Sequence, residues 1–87
     1  MSTIQLANSN KIRWACRRGM LELDLILLPF FEECFIKLTE QQKRSFISLL
    51  EFPDPDLYRW LMRSEQHEIP GLSEIIGIVN TYAKRLS

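Results

Sequence analysis

The chain has 87 residues, of which 46% are hydrophobic and 25% charged, with eleven basic and eleven acidic side chains in formal balance. That length fits one domain with a single modest core and little room for an internal pocket, and the apolar fraction excludes disorder. The charge is asymmetric: residues 1–18 carry Lys11, Arg13, Arg17 and Arg18 and no acid, while 19–87 carry seven bases and all eleven acids, too few bases together for the usual nucleic-acid footprint but suited to an acidic protein surface.

Residues 1–7 precede any helical signal and are expected to be flexible. The first helix is predicted from about Asn8 to Arg18, capped by Asn8 or Ser9 and stopped by Gly19. The second is predicted from Met20 to Leu38. Its apolar residues Leu23, Leu27, Phe30, Phe31, Cys34, Phe35 and Leu38 recur at three- and four-residue steps and form one face. Pro29 lies inside it, where the missing N–H either kinks the helix or breaks it in two. The third begins after Thr39, whose spacing to Gln42 is that of a capping box. It buries Phe46, Ile47, Leu49 and Leu50 and ends before Pro53. In the fourth, Asp54 is the expected cap and Pro55 the first helical residue, with Leu57, Trp60 and Leu61 apolar and Tyr58 and Arg59 outward. Residues Glu65–Pro70 form the one real loop. The fifth runs from about Gly71 to Arg85, with Leu72, Ile75, Ile76, Val79 and Tyr82 inward. No run alternates as a strand does. The fold class is therefore all-α: a compact single-domain bundle of about five short helices over 1–87, with the second helix central.

Catalytic chemistry has no foothold in this pattern. There is no nucleophile elbow, no His-Glu-x-x-His and no glycine-rich phosphate loop, and Gly19, Gly71 and Gly77 stand alone. His67 falls in the polar loop and reads as solvated surface. Cys16 and Cys34 are 18 residues apart with one histidine in the chain, too few ligands for structural zinc. Residues 1–10 lack the basic start and apolar run of a secretory leader. The apolar runs Leu25–Phe31 and Ile75–Ala83 are too short to cross a membrane. A cytoplasmic protein with reduced thiols is expected.

The segment from Trp14 to Asp24 packs an aromatic, two arginines, a glycine and two carboxylates into one helix–turn–helix junction. Local structure accounts for much of it. Gly19 can supply a left-handed turn, Glu22 and Asp24 favour the positive end of the following helix, and Arg18 and Glu22 can form a local ion pair. Trp14 can belong to the core. A docking site accounts for it equally well, since arginine is a favoured interface anchor and a bare glycine lets a partner approach closely. The second cluster, Asp54-Pro55-Asp56-Leu57-Tyr58-Arg59-Trp60, is a capped helix start whose Tyr58 and Arg59 can extend an interface.

Together the two clusters resemble the succinate dehydrogenase assembly factor family (the bacterial SdhE family). The resemblance rests on Trp-x-x-Arg-Arg-Gly-x-x-Glu-Leu-Asp at 14–24, with the hallmark Arg-Gly-x-x-Glu at Arg18, Gly19 and Glu22. It also rests on Pro-Phe-Phe-Glu at 29–32, Leu-Leu-Glu at 49–51 and Asp-Pro-Asp-Leu-x-x-Trp at 54–60. It spans Lys11 to Val79. It implies a five-helix protein, not an enzyme, that binds the flavoprotein subunit of succinate dehydrogenase, with the fumarate reductase flavoprotein as a further client, and promotes covalent attachment of FAD. In such clients the flavin 8α-methyl carbon becomes bonded to a histidine of the flavoprotein, so FAD belongs to the client and this chain holds no cofactor of its own.

The resemblance further implies residue roles. Arg18 would give charge-assisted hydrogen bonds to the client and Gly19 would permit close approach. Glu22 would meet a client cation or the client's flavin-linking region, or hold Arg18 in place. Trp14, Arg17 and Asp24 would flank them, with Asp54, Tyr58 and Trp60 supporting the same face. A monomer is expected. The competing readings are a small regulatory or antitoxin-like protein-binding module and a nucleic-acid-binding helical domain using Lys11, Arg13, Arg17 and Arg18; the acidic remainder of the chain opposes the second.

Overall fold

The computed structural model describes residues 9–63 and 71–86. The expected flexibility of 1–7, the loop at Glu65–Pro70 and the surface position of His67 lie outside them. The described residues form five α-helices and no strand: α1 (Ser9–Ala15), α2 (Leu21–Cys34), α3 (Glu40–Leu49), α4 (Asp54–Met62) and α5 (Ser73–Arg85). α2 packs against both α4 and α5, α4 against α5, and α3 against α5, so α2 is central, as its apolar face requires.

α1 stops three residues earlier than its sequence pattern predicts. The N–H groups of Cys16 and Arg17 reach back to the carbonyls of Arg13 and Trp14 at 3.1 and 3.0 Å, tightening the last turn, and the chain leaves the helix axis before Arg18. Gly19 then takes φ +83°, which an L-residue with a Cβ adopts only under strain. Met20 is extended and caps α2 without a side-chain bond.

α2 runs unbroken through Pro29 to Cys34, so the proline splits nothing. The predicted extension to Leu38 is a single 3-10 turn, Phe35–Lys37. That turn carries the buried Phe35 ring to 5.0 Å from Phe31 and 5.7 Å from Phe46. At Thr39 the capping box forms: the hydroxyl accepts from the Gln42 N–H at 3.1 Å, and the Gln42 side chain accepts from the Thr39 N–H at 2.9 Å. Asp54 does not cap α4. Pro53 occupies the cap, Asp54 is the first helical residue and Pro55 the second, because the Asp54 carboxylate is drawn to Arg18.

The core centres on Phe30, which meets Phe46 at 5.3 Å and Tyr82 edge-on at 5.5 Å. Leu23, Leu27, Leu49, Leu57, Ile75 and Val79 are fully buried around it, each worth about 1.5–3 kcal/mol of burial. Ile12, Cys16 and Ile26 join the core although the periodicity does not single them out, whereas Phe31, Cys34 and Leu38 only pack against its edge. No described helix is long and apolar enough to cross a membrane.

Candidate functional site

The α1–α2 junction is built on Arg18. Its backbone N–H donates to Asp24 Oδ1 at 2.7 Å and its Nε to Asp54 Oδ1 at 2.8 Å. Nη1 donates to the carbonyls of Leu50 at 2.7 Å and Ala15 at 3.1 Å, and Nη2 to that of Phe52 at 2.7 Å. The side chain is only 16% exposed. One arginine therefore ties together the end of α1, the first turn of α2, the α3–α4 connection and the start of α4.

Local electrostatics explain why an arginine fits. The carbonyls at the end of α3 and just beyond it lack helical donors and carry the negative end of the helix dipole, while the first turn of α4 favours a carboxylate. A guanidinium satisfies both at once through a planar fork that lysine lacks. Breaking this set removes the donor from a half-buried Asp54 and from three carbonyls, a loss of roughly 2–4 kcal/mol.

Glu22 is the opposite case. It lies on the exposed face of the first turn of α2, with no hydrogen bond or ion pair shown among the described residues. It does not pair with Arg18; Asp54 and Asp24 hold that residue instead. Gly19 is exposed, and a Cβ added there would meet no atom within 4 Å, so the glycine serves its backbone angle and leaves open space in front of it. Trp14 is 73% exposed and not in the core. The Arg17 guanidinium lies 5.8 Å from its ring centroid, a surface cation–π contact worth about 0.5–1 kcal/mol. Trp14, Arg17 and Asp24 line one shallow groove with Arg13 and Leu28. Arg13 also reaches Glu32 at 2.6 Å, pinning α1 to α2.

The Asp54–Trp60 cluster joins the junction only in part. Asp54 does so directly. Tyr58 is half-buried. Trp60 is buried, its ring edge-on to Phe52 at 5.2 Å; it braces the segment whose carbonyl receives Arg18. The Leu50 and Phe52 carbonyls are the members that sequence reasoning misses, since a backbone acceptor leaves no trace in residue identity.

Burial pushes the Cys16 thiol up to about 12, with Asp24 adding to the rise and Arg18 opposing it. Cys16 thus offers no thiolate at neutral pH. Among the described residues no group of three or more His, Cys, Asp or Glu side chains is placed to hold a metal ion.

Comparison with known proteins adds the family context. Residues 10–83 match the family described as flavinator of succinate dehydrogenase. The FAD assembly factor SdhE of Vibrio vulnificus is 58% identical over 66 residues, covering 76% of this chain and 77% of that protein. The factor of the same name from a Serratia species is 42% identical over 81 residues, covering 93% and 92%. The solution structure of a UPF0350 protein superposes with a TM-score of 0.74 at 43% identity, covering 99% of this chain and 89% of that one.

Proposed function

The chain belongs to the family of flavinators of succinate dehydrogenase, and from that premise we propose that it binds the flavoprotein subunit of the dehydrogenase and promotes covalent attachment of FAD to it. The match over residues 10–83 carries this reading. The chemistry is the client's: this chain brings no phosphate-cradling glycine loop, and its thiol at Cys16 is buried and protonated. Its contribution is positional. It holds a partly assembled flavoprotein so that the linking histidine and the flavin meet, which lowers the barrier by orientation.

The residues divide by exposure. Arg18, with Asp24, Asp54 and Trp60 behind it, fixes the shape of the α1–α2 turn. Gly19, Glu22 and the Trp14–Arg17 stack form the face that meets the client, Glu22 with a carboxylate ready for a client cation, and the half-buried Tyr58 supports it. The fumarate reductase flavoprotein is a further client of the same face. The factor acts as a cytoplasmic monomer, without nucleic acid and without a cofactor of its own.

The deciding experiment compares covalent flavin on the denatured dehydrogenase flavoprotein, read as in-gel fluorescence, from cells with and without this protein. Strong fluorescence only in its presence is expected; equal fluorescence overturns the reading. Co-purification separates it from a regulatory module, since a flavinylation factor brings down a large flavoprotein.

A further inference from the structure

Among the described residues, three of the exposed large hydrophobic side chains converge on one place. Leu25 on α2, Met62 at the end of α4 and Leu86 just past α5 are 58%, 39% and 51% exposed and line a single groove. Its floor is the buried pair Ile26 and Leu61. Apolar side chains scattered singly over a surface need no partner, but apolar side chains gathered around a groove mark an interaction site. Walls supplied by three helices give the form that accepts the apolar face of a partner helix.

Two opposite charges stand in the same lining, Glu22 and Lys84. Glu22 is also the carboxylate assigned above to the client, one turn from Gly19. The groove is therefore continuous with the α1–α2 contact face and carries it onward to the ends of α4 and α5. We infer that the groove receives an apolar helix of the flavoprotein client, oriented by a basic residue opposite Glu22 and an acidic residue opposite Lys84. This rests on the reading of the chain as a flavinylation factor and extends that contact. The dipolar rim gives the bound helix a direction, and the apolar floor supplies the area that a lone Glu22 contact lacks.

The test uses the full chain and the purified flavoprotein before flavin attachment. Leu25→Glu, Met62→Glu and Leu86→Glu alter exposed side chains, so each variant should keep the wild-type helical circular dichroism. Each should bind the client at least about tenfold more weakly, and Lys84→Glu should weaken it less. Folded variants that all bind as wild type overturn the groove, while a concurrent loss of binding in Gly19→Arg would show that the flavinylation reading survives. A wild-type chain that does not bind the flavoprotein at all overturns both. A photo-crosslinking residue at Met62 should capture the flavoprotein; capture solely of a second copy of this chain makes the groove a self-association surface and also overturns the inference.

Discussion

Arg18 and Glu22 are four residues apart and face opposite worlds. Arg18 is 16% exposed and satisfied by two carboxylates and three carbonyls of its own chain, counting its backbone N–H. Glu22 is exposed on α2. A short signature that reads as one functional unit is thus two things: an internal brace and an outward-facing carboxylate. The lesson is that residues of one motif can be required for different reasons, and that stability and activity measured together tell them apart.

Arg18→Ala breaks the brace side. It should lower unfolding stability by roughly 2–4 kcal/mol in chemical denaturation, and Asp54→Ala should lose less, because the three carbonyls keep their donor. If Arg18→Ala unfolds at the wild-type midpoint yet fails to bind the flavoprotein, Arg18 belongs to the contact side. Gly19→Arg lies on the boundary. The left-handed backbone should take about 1–2 kcal/mol of stability, and the added side chain should block docking, so that the folded variant restores no covalent flavin. Full flavin attachment by a folded Gly19→Arg protein would remove the docking face from this turn.

Glu22→Ala sharpens the comparison from the other side. Its stability should change by no more than about 0.3–1 kcal/mol, the worth of a carboxylate at a helix start, while client binding and flavin attachment fall. Normal flavin attachment would reduce Glu22 to a helix-start charge. Cys16 gives no titration effect near neutral pH and shows itself only in alkali. Its thiol titrates higher in the folded protein than in the unfolded chain, so the unfolded state releases its proton first and folded stability drops as pH rises. From about pH 9 towards about 12, wild type should lose up to about 1.4 kcal/mol per pH unit relative to Cys16→Ala. Parallel pH profiles for the two proteins would contradict the burial.

Local signals were legible in the sequence and long-range ones were not. Thr39 and Gln42 announce their capping box because both partners lie within one turn, and the face of α2 from Leu23 to Phe30 follows from spacing alone. The burial of Trp60 followed from its place beside Leu57 and Leu61, but the end of α1 and the cap of α4 were misplaced, and the inward turn of Arg18 was hidden because its acceptors Leu50, Phe52 and Asp54 lie 32 to 36 residues away. The exposure of Trp14 has the same origin: an aromatic at helical spacing looks like core until neighbouring helices are placed. For the site, sequence pattern located the junction but could not say which of its charges point inward.

The span between Arg18 and Asp54 has a consequence in time. Closing a contact 36 residues apart in sequence carries a loop-closure entropy cost that contacts within one helical turn do not, so it follows local structure in folding. Until it closes, the α1–α2 turn is held only by Gly19 and the local Arg18 N–H to Asp24 bond. A nascent or partly unfolded copy therefore has helices before it has the Arg18 cluster that joins them. The brace thus makes the shape of the α1–α2 turn a late, long-range property of the fold rather than a local one.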